Sequence, residues 1–240
     1  MRTTSNTGAA FWLGLLLAAG LIGAAWYASN SAIKVKEYER TVTAKGLSER
    51  EYPADVVIWP IQFVTAENDL GALYQELERS VAEIRSFLNV QGVAAADVSV
   101  APPAITDKVA QQWGGDAQIR FRYSATQTVT VYSSDIESVR GAMSQMTELG
   151  KQGLVINADE YGNATEYLFT RLNEIKPEMI EEATRNARQV AAKFAQDSDS
   201  QLGKIRRASQ GQFSIDARDR NNPHIKKVRV VSTVEYYLSD

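Results

Sequence analysis

His224 is the one histidine of the chain, in the run Asn221-Asn222-Pro223-His224. A Ser-His-carboxylate relay needs such an imidazole held between a serine and an acid. The run reads as a turn, and turn residues are more often merely exposed than catalytic, so a surface-loop histidine is set against the general base. Asp216, Asp219, Asn221 and Asn222 gather side-chain oxygens as a calcium loop does. The EF-hand template nevertheless fails, because no glycine stands at its sixth position and Lys227 occupies the place of the bidentate Glu. Glu178, Glu181 and Glu182 offer an acid and a base. They fall in the first turns of a helix with Arg185 and Arg188 behind them, where the helix dipole favours negative charge, and a solvated face accounts for them. The phosphate, dinucleotide, nucleophile-elbow and zinc-protease signatures are missing. Asn163-Ala-Thr165 fits a glycosylation acceptor, a short pattern that depends on the host. On this reading there are no catalytic, cofactor-binding or metal-ligating residues to assign.

Composition agrees. The 240 residues carry 26 Lys+Arg against 29 Asp+Glu, a net charge of −3, with 44% hydrophobic residues and no cysteine. That apolar content supports a packed core. The charge provides no basic field for nucleic acid. Without cysteine there are no disulfides, zinc thiolates, iron–sulfur ligands or lipid-modified cysteine.

Residues 1–8 form a short polar N-terminus, and residues 9–28 are uncharged for the length of a hydrocarbon core. Trp12 at one end, and Trp26 with Tyr27 at the other, suit the headgroup zones. An uncleaved transmembrane anchor is therefore expected. A cleaved signal segment is the alternative, although Arg2 is the only basic residue ahead of the span. Lys34, Lys36, Arg40 and Lys45 follow it, but long domains translocate largely regardless of flanking charge. Residues 29–37 read as a tether.

From residue 38 to 240 the pattern predicts a domain that must position whatever function exists. Strands are expected over Glu39–Ser48 and Asp55–Ala66, the second apolar on both faces and interrupted by Pro60, which cannot donate to a ladder and so marks an edge or a bulge. Leu70, Leu73, Leu77, Val81, Ile84 and Leu88 form one helical stripe between Asn68 and Gly92. A strand over Val98–Thr106, a loop over Asp107–Asp116 and a long half-buried strand ending near Val131 follow. A linker helix covers about 135–149. The order then restarts: strands at Gln152–Tyr161 and Thr165–Leu172, then a helix over Pro177–Asp197 with Ile180, Ala183, Ala187, Val190 and Phe194 inward. Strands near Lys204–Phe213 and Lys226–Leu238 close the chain. Matching elements are offset by 107 residues, as in 70 to 177, which predicts two ββαββ units over about 38–133 and 151–240. The fold class is α+β, antiparallel sheets with helices packed on one face.

Two functional readings follow. One is an interaction protein that oligomerises through Trp59, Pro60, Ile61 and Phe63, a two-sided apolar strand whose edge needs a partner; its rival is that these residues fill the monomer core. The other is a small-ligand binder or hydrolase using a loop pocket near residues 107–116.

Arg40-Thr-Val-Thr-Ala-Lys-Gly46, Pro53-Ala-Asp55, Tyr123-Ser-Ala125 ahead of Thr128-Val-Thr-Val131, and Leu202-Gly-Lys-Ile205 occur in the order in which similar runs occur in the SIMPL-domain (DUF541) family. The chain resembles that family over about residues 38–238. The resemblance implies a bacterial envelope protein, here anchored to the inner membrane and periplasmic, with a link to stress response. It also implies self-association into a large ring or channel-like homo-oligomer, without catalytic residues or cofactors. The expected partners are the lipid bilayer, through residues 9–28, and further copies of the chain.

Overall fold

In a computed structural model of the protein, residues 7–37, 40–110, 120–157 and 164–239 are described. Helix α1, Thr7–Glu37, continues through the expected tether. Residues 29–37 contain neither glycine nor proline, so nothing in the sequence stops the helix after the apolar run. The chain divides into two compact units. One comprises Arg50–Ile175 with Ser214–Val228, and is called central from its place in the sequence. The other, the terminal unit, comprises Met1–Glu49, Lys176–Phe213 and Arg229–Asp240.

The central unit is built on β2 (Val56–Glu67) and β5 (Tyr123–Ser133), antiparallel from Val57 opposite Ser133 to Glu67 opposite Tyr123. Burial along β2 alternates, with Val57, Trp59, Ile61 and Phe63 inward, as a sheet with one deeply covered face requires. The second edge of β2 is also paired, with β7 (Glu166–Leu168) at Val56–Ile58 and with β6 (Val155–Asn157) at Gln62–Val64. β2 is therefore an interior strand and not the edge expected from Pro60. The proline is tolerated because it falls in the gap between those two pairings, where the ladder is already interrupted.

The expected strand over Val98–Thr106 is split into β3 (Val98–Val100) and β4 (Ala104–Asp107), both on β5, because Pro102 and Pro103 supply no N–H between them. Helix α2 (Leu70–Val90) starts where Asp69 accepts from the N–H of Ala72 at 2.9 Å and ends at Gly92, whose φ of +86° suits glycine. It buries Leu73, Leu77, Ile84, Phe87 and Leu88. Leu70 remains 42% exposed and Val81 only partly buried. The linker helix is two helices, α3 (Ile136–Ser144) and α4 (Thr147–Lys151), the first capped by Asp135.

In the terminal unit, β1 (Thr41–Pro53) and β8 (Gln201–Gln210) flank β10 (Ile225–Ser239); β9 (Ser214–Ala217), which belongs to the central unit, also pairs with β10. β1 leaves the terminal unit at Glu49 and β10 enters it at Arg229. Helix α5 (Leu172–Asp197) buries Met179, Ala183, Ala187, Ala191 and Ala195. That corrects the expected inner face: Val190 and Phe194 are 41% and 56% exposed. The cause is close approach. A Cβ on Gly46 of β1 would lie 1.9 Å from the Ala183 carbonyl oxygen, so only small side chains fit where the helix crosses Gly46.

The fold class is α+β with antiparallel sheets, as expected. The strand orders β3-β5-β2 and β8-β10-β1 are parallel descriptions of two sheets, each accompanied by one long amphipathic helix, and they are compatible with a duplicated unit. β1 then occupies in its sheet the place that β2 occupies in the other.

Candidate functional site

Helix α1 holds one span, Phe11–Ser29, of mean hydropathy 1.7 and with none of it buried within the protein. Trp12, Trp26 and Tyr27 are exposed along with Leu13, Leu16, Leu17, Leu21 and Ile22. An all-round apolar surface of this length, wholly uncovered, has the properties of a membrane anchor or a signal sequence.

Of the residues expected to form an interface, Trp59, Ile61 and Phe63 are 4%, 1% and 1% exposed, within the core of the central unit. They pack with α2 and β5 side chains because the inward phase of β2 carries them there, so they present no face to a partner. Pro60, on the opposite phase, is half-buried.

The expected loop pocket near residues 107–116 lies outside the described residues from 111 onward. What is described of it is structural: Asp107 accepts from Arg122 Nη2 at 3.0 Å and from the N–H of Val109 at 3.0 Å. The Arg122 hydrogen bond, ahead of those from the backbone, holds the Asp107 carboxyl below its usual range.

The polar loop around His224 is likewise engaged in holding itself together. Asp219 accepts from the N–H groups of Asn221 and Asn222, both at 2.9 Å, from Asn222 Nδ2 at 3.0 Å, and from Arg218 Nε at 2.9 Å. The Arg218 bond, then that of Asn222, lowers its pKa to about 2. With these donors on its oxygens it is a turn-former rather than a cation ligand. The His224 ring meets Tyr167 edge-on, with centroids 6.1 Å apart, and burial pulls its pKa below the ordinary value. Glu181 pairs with Arg185 at 3.7 Å, and Glu182 accepts from Ser48 at 2.9 Å, the roles of a helix face. Among the described residues there is no group of three or more acidic or histidine side chains able to hold a metal.

What remains exposed and chemically unspent is backbone. β1 and β8 each pair with β10 alone among the described strands, so one sheet ends in two open edges of different sequence. β8 is exposed along almost its whole length, with Ile205 49% uncovered. It carries Lys204, Arg206 and Arg207, and Arg206 also reaches Glu235 at 2.8 Å. Its register against β10 shifts between Glu235 and Tyr236 and again before Leu238. Cations and bulges of this kind restrict which strands an edge accepts. Sequence reasoning placed a strand here without recognising an edge, since edge status depends on which strand pairs with which.

A family model described as SIMPL, protein of unknown function (DUF541), matches residues 42–235. No curated protein matches the chain.

Proposed function

The chain belongs to the SIMPL family, and from that premise we propose that it is a non-enzymatic envelope protein which self-associates head to tail into a ring. In this reading residues 9–28 hold it in the inner membrane and its α+β domain lies in the periplasm. The observation that carries the proposal is the pair of unlike open edges, β1 and β8, on one sheet.

Unpaired N–H and C=O groups along a strand are a template for another strand. Two β8 edges meeting each other would set Lys204, Arg206 and Arg207 against the same cations, and like charges directly opposite are destabilising. Pairing β8 of one copy with β1 of the next avoids that. Such a contact uses two different surfaces, so it propagates, and it closes into a ring where the rotation permits. Anchoring in a bilayer raises the local concentration of copies and so favours the contact.

The chain has no cysteine, so the exposed positions Thr43 in β1 and Ile205 in β8 can be labelled alone. Membranes carrying the double variant Thr43→Cys, Ile205→Cys, treated with a flexible bis-maleimide, should yield a ladder of covalent oligomers. Either single variant should stop at a dimer or below. A double variant that gives no ladder contradicts head-to-tail pairing.

A further inference from the structure

The open edge of β1 has an apolar shoulder beside it. Helix α5 runs back along β1: Ser48 Oγ donates to Glu182 at 2.9 Å, Gly46 lies against Ala183 and Ala187, and Arg40 Nη2 donates to Ser200 Oγ at 3.0 Å. Arg40 turns its carbonyl to the N–H of Leu238 in β10, so by the period of two Thr41, Thr43, Lys45 and Leu47 turn their backbone groups to the open side. Asn186 of α5 donates to the Leu47 carbonyl at 2.8 Å, which places its flank of the helix above that side. Val190 and Phe194 follow Asn186 at intervals of four and share its flank, 41% and 56% exposed, above residues 41–45. A strand added to those residues enters beneath them.

β8 carries the complementary surface. Its two register shifts against β10 set Leu202, Ile205 and Ala208, three residues apart, opposite Leu238, Tyr236 and Val234, which are two apart. Val234 and Tyr236 are in the core with Ala187 and Ala191 of α5, and Leu202 packs against them, so all three β8 residues lie on the α5 face. In a regular strand that spacing would turn Ile205 to the other face. Arg207, opposite Glu235, and Arg206, which reaches Glu235 at 2.8 Å, lie on the face away from α5. β8 thus offers an aliphatic face at its edge, with Ile205 49% exposed.

Faces and charge together name the occupant. In a ring every copy is related to the next by the same rotation, so α5 stands on one face of the shared sheet throughout, and Ile205 of an incoming β8 arrives on the face where Val190 and Phe194 stand. Residues 41–49 hold one cation, Lys45, and one anion, Glu49, so β1 is neutral toward a strand bearing Lys204, Arg206 and Arg207. We propose that β8 of a second copy seats beside residues 41–45 of β1 with Ile205 packed against Val190 and Phe194, the three side chains closing one apolar layer across the joint. This rests on the self-association reading and assigns the side chains that select the joint. A lysine at 205 keeps an aliphatic stem in that layer, so the test removes the shoulder and not Ile205.

Within one copy β10 separates β1 from β8 by two strand spacings, about 10 Å, too far for a disulfide between Ile205 and the β1 flank of α5. Oxidation by copper phenanthroline of membranes carrying Phe194→Cys, Ile205→Cys, or Val190→Cys, Ile205→Cys, should therefore give a disulfide ladder between copies from at least one pair. Val90→Cys, Ile205→Cys, with its first thiol on the exposed end of α2, should give none. In the otherwise native chain Phe194→Glu should lower the assembled fraction several-fold in native mass spectrometry while α5 keeps its amide-exchange protection, and Val90→Glu should leave assembly unchanged. If the native chain assembles and neither α5 pair ladders, or the Val90 pair ladders equally, or Phe194→Glu assembles as before, this inference falls and self-association stands. A native chain that does not assemble overturns both. The disulfide result decides even if Phe194→Glu does not fold.

Discussion

Single residues in this protein act mainly by what they exclude. Gly46 is the clearest case: any Cβ there would meet the Ala183 oxygen at 1.9 Å and the Ala187 nitrogen at 2.3 Å, both backbone atoms of α5 that no side-chain rotation can move away. Gly46→Ala should therefore destabilise the terminal unit by about 3 kcal/mol or more, read as loss of amide-exchange protection in α5. His224 supplies a pH-dependent counterpart. It is the only histidine, and burial lowers its folded pKa below 6.5. Arg140 and Arg218 lower it further, while Glu137 and Asp219 oppose them. The unfolded chain thus takes the proton first as pH falls, so the contribution is complete above about pH 6.5 and declines below it, levelling off under the folded value. An NMR titration should find the His224 midpoint under 6.5, and His224→Gln should flatten the fall in stability between pH 7 and 5. A midpoint above 6.5 contradicts this. The loop character of His224 was legible from Asn-Asn-Pro-His. Gln127 was legible in principle, as a polar residue in the inward phase of an alternating strand, but the hydrogen bond from its Nε2 depends on where the Ala101 carbonyl lies.

Helices α2 and α5 show where periodicity suffices and where it does not. The α2 stripe is long and aliphatic, and burial of such side chains at roughly 1.5–3 kcal/mol each makes its docking face legible from spacing alone. Leu77, 3% exposed, and Leu70, 42% exposed, belong to the same stripe yet should respond differently. Leu77→Ala should cost about 2–5 kcal/mol in a thermal or urea melt and Leu70→Ala under about 1. Equal losses would mean that α2 docks in another rotation, and Leu77→Asp should prevent folding of the central unit. In α5 Ala183 and Ala187 are buried as expected, while the larger Val190 and Phe194, expected to continue that face, are exposed and Ala191 and Ala195 continue it instead. What governs that helix is backbone proximity over Gly46, visible in sequence only as alanines at 183, 187, 191 and 195. Pro60 misleads similarly: it demands a missing hydrogen bond, and the gap between β6 and β7 meets that demand as well as an edge does.

At the scale of the whole chain, the fold class and the N-terminal apolar span were legible because both rest on composition and period. The pairing of β1 with β10, and of β6 and β7 with β2, was not, since strand exchange between halves leaves no mark on either half's own pattern. Among the described strands the same exchange leaves β1 and β8 as the edges of their sheet, while Trp59, Ile61 and Phe63 lie in the core of the central unit. Ile205→Lys, adding a fourth cation to β8, should leave head-to-tail assembly in place at low salt, whereas a β8-to-β8 contact would be weakened and recover partly as salt screens the repulsion. Native mass spectrometry of the full chain released from detergent tests assembly most directly. A closed head-to-tail ring predicts one discrete species, larger than a dimer, whose mass does not change on dilution; a 26.5 kDa monomer at every concentration contradicts the account.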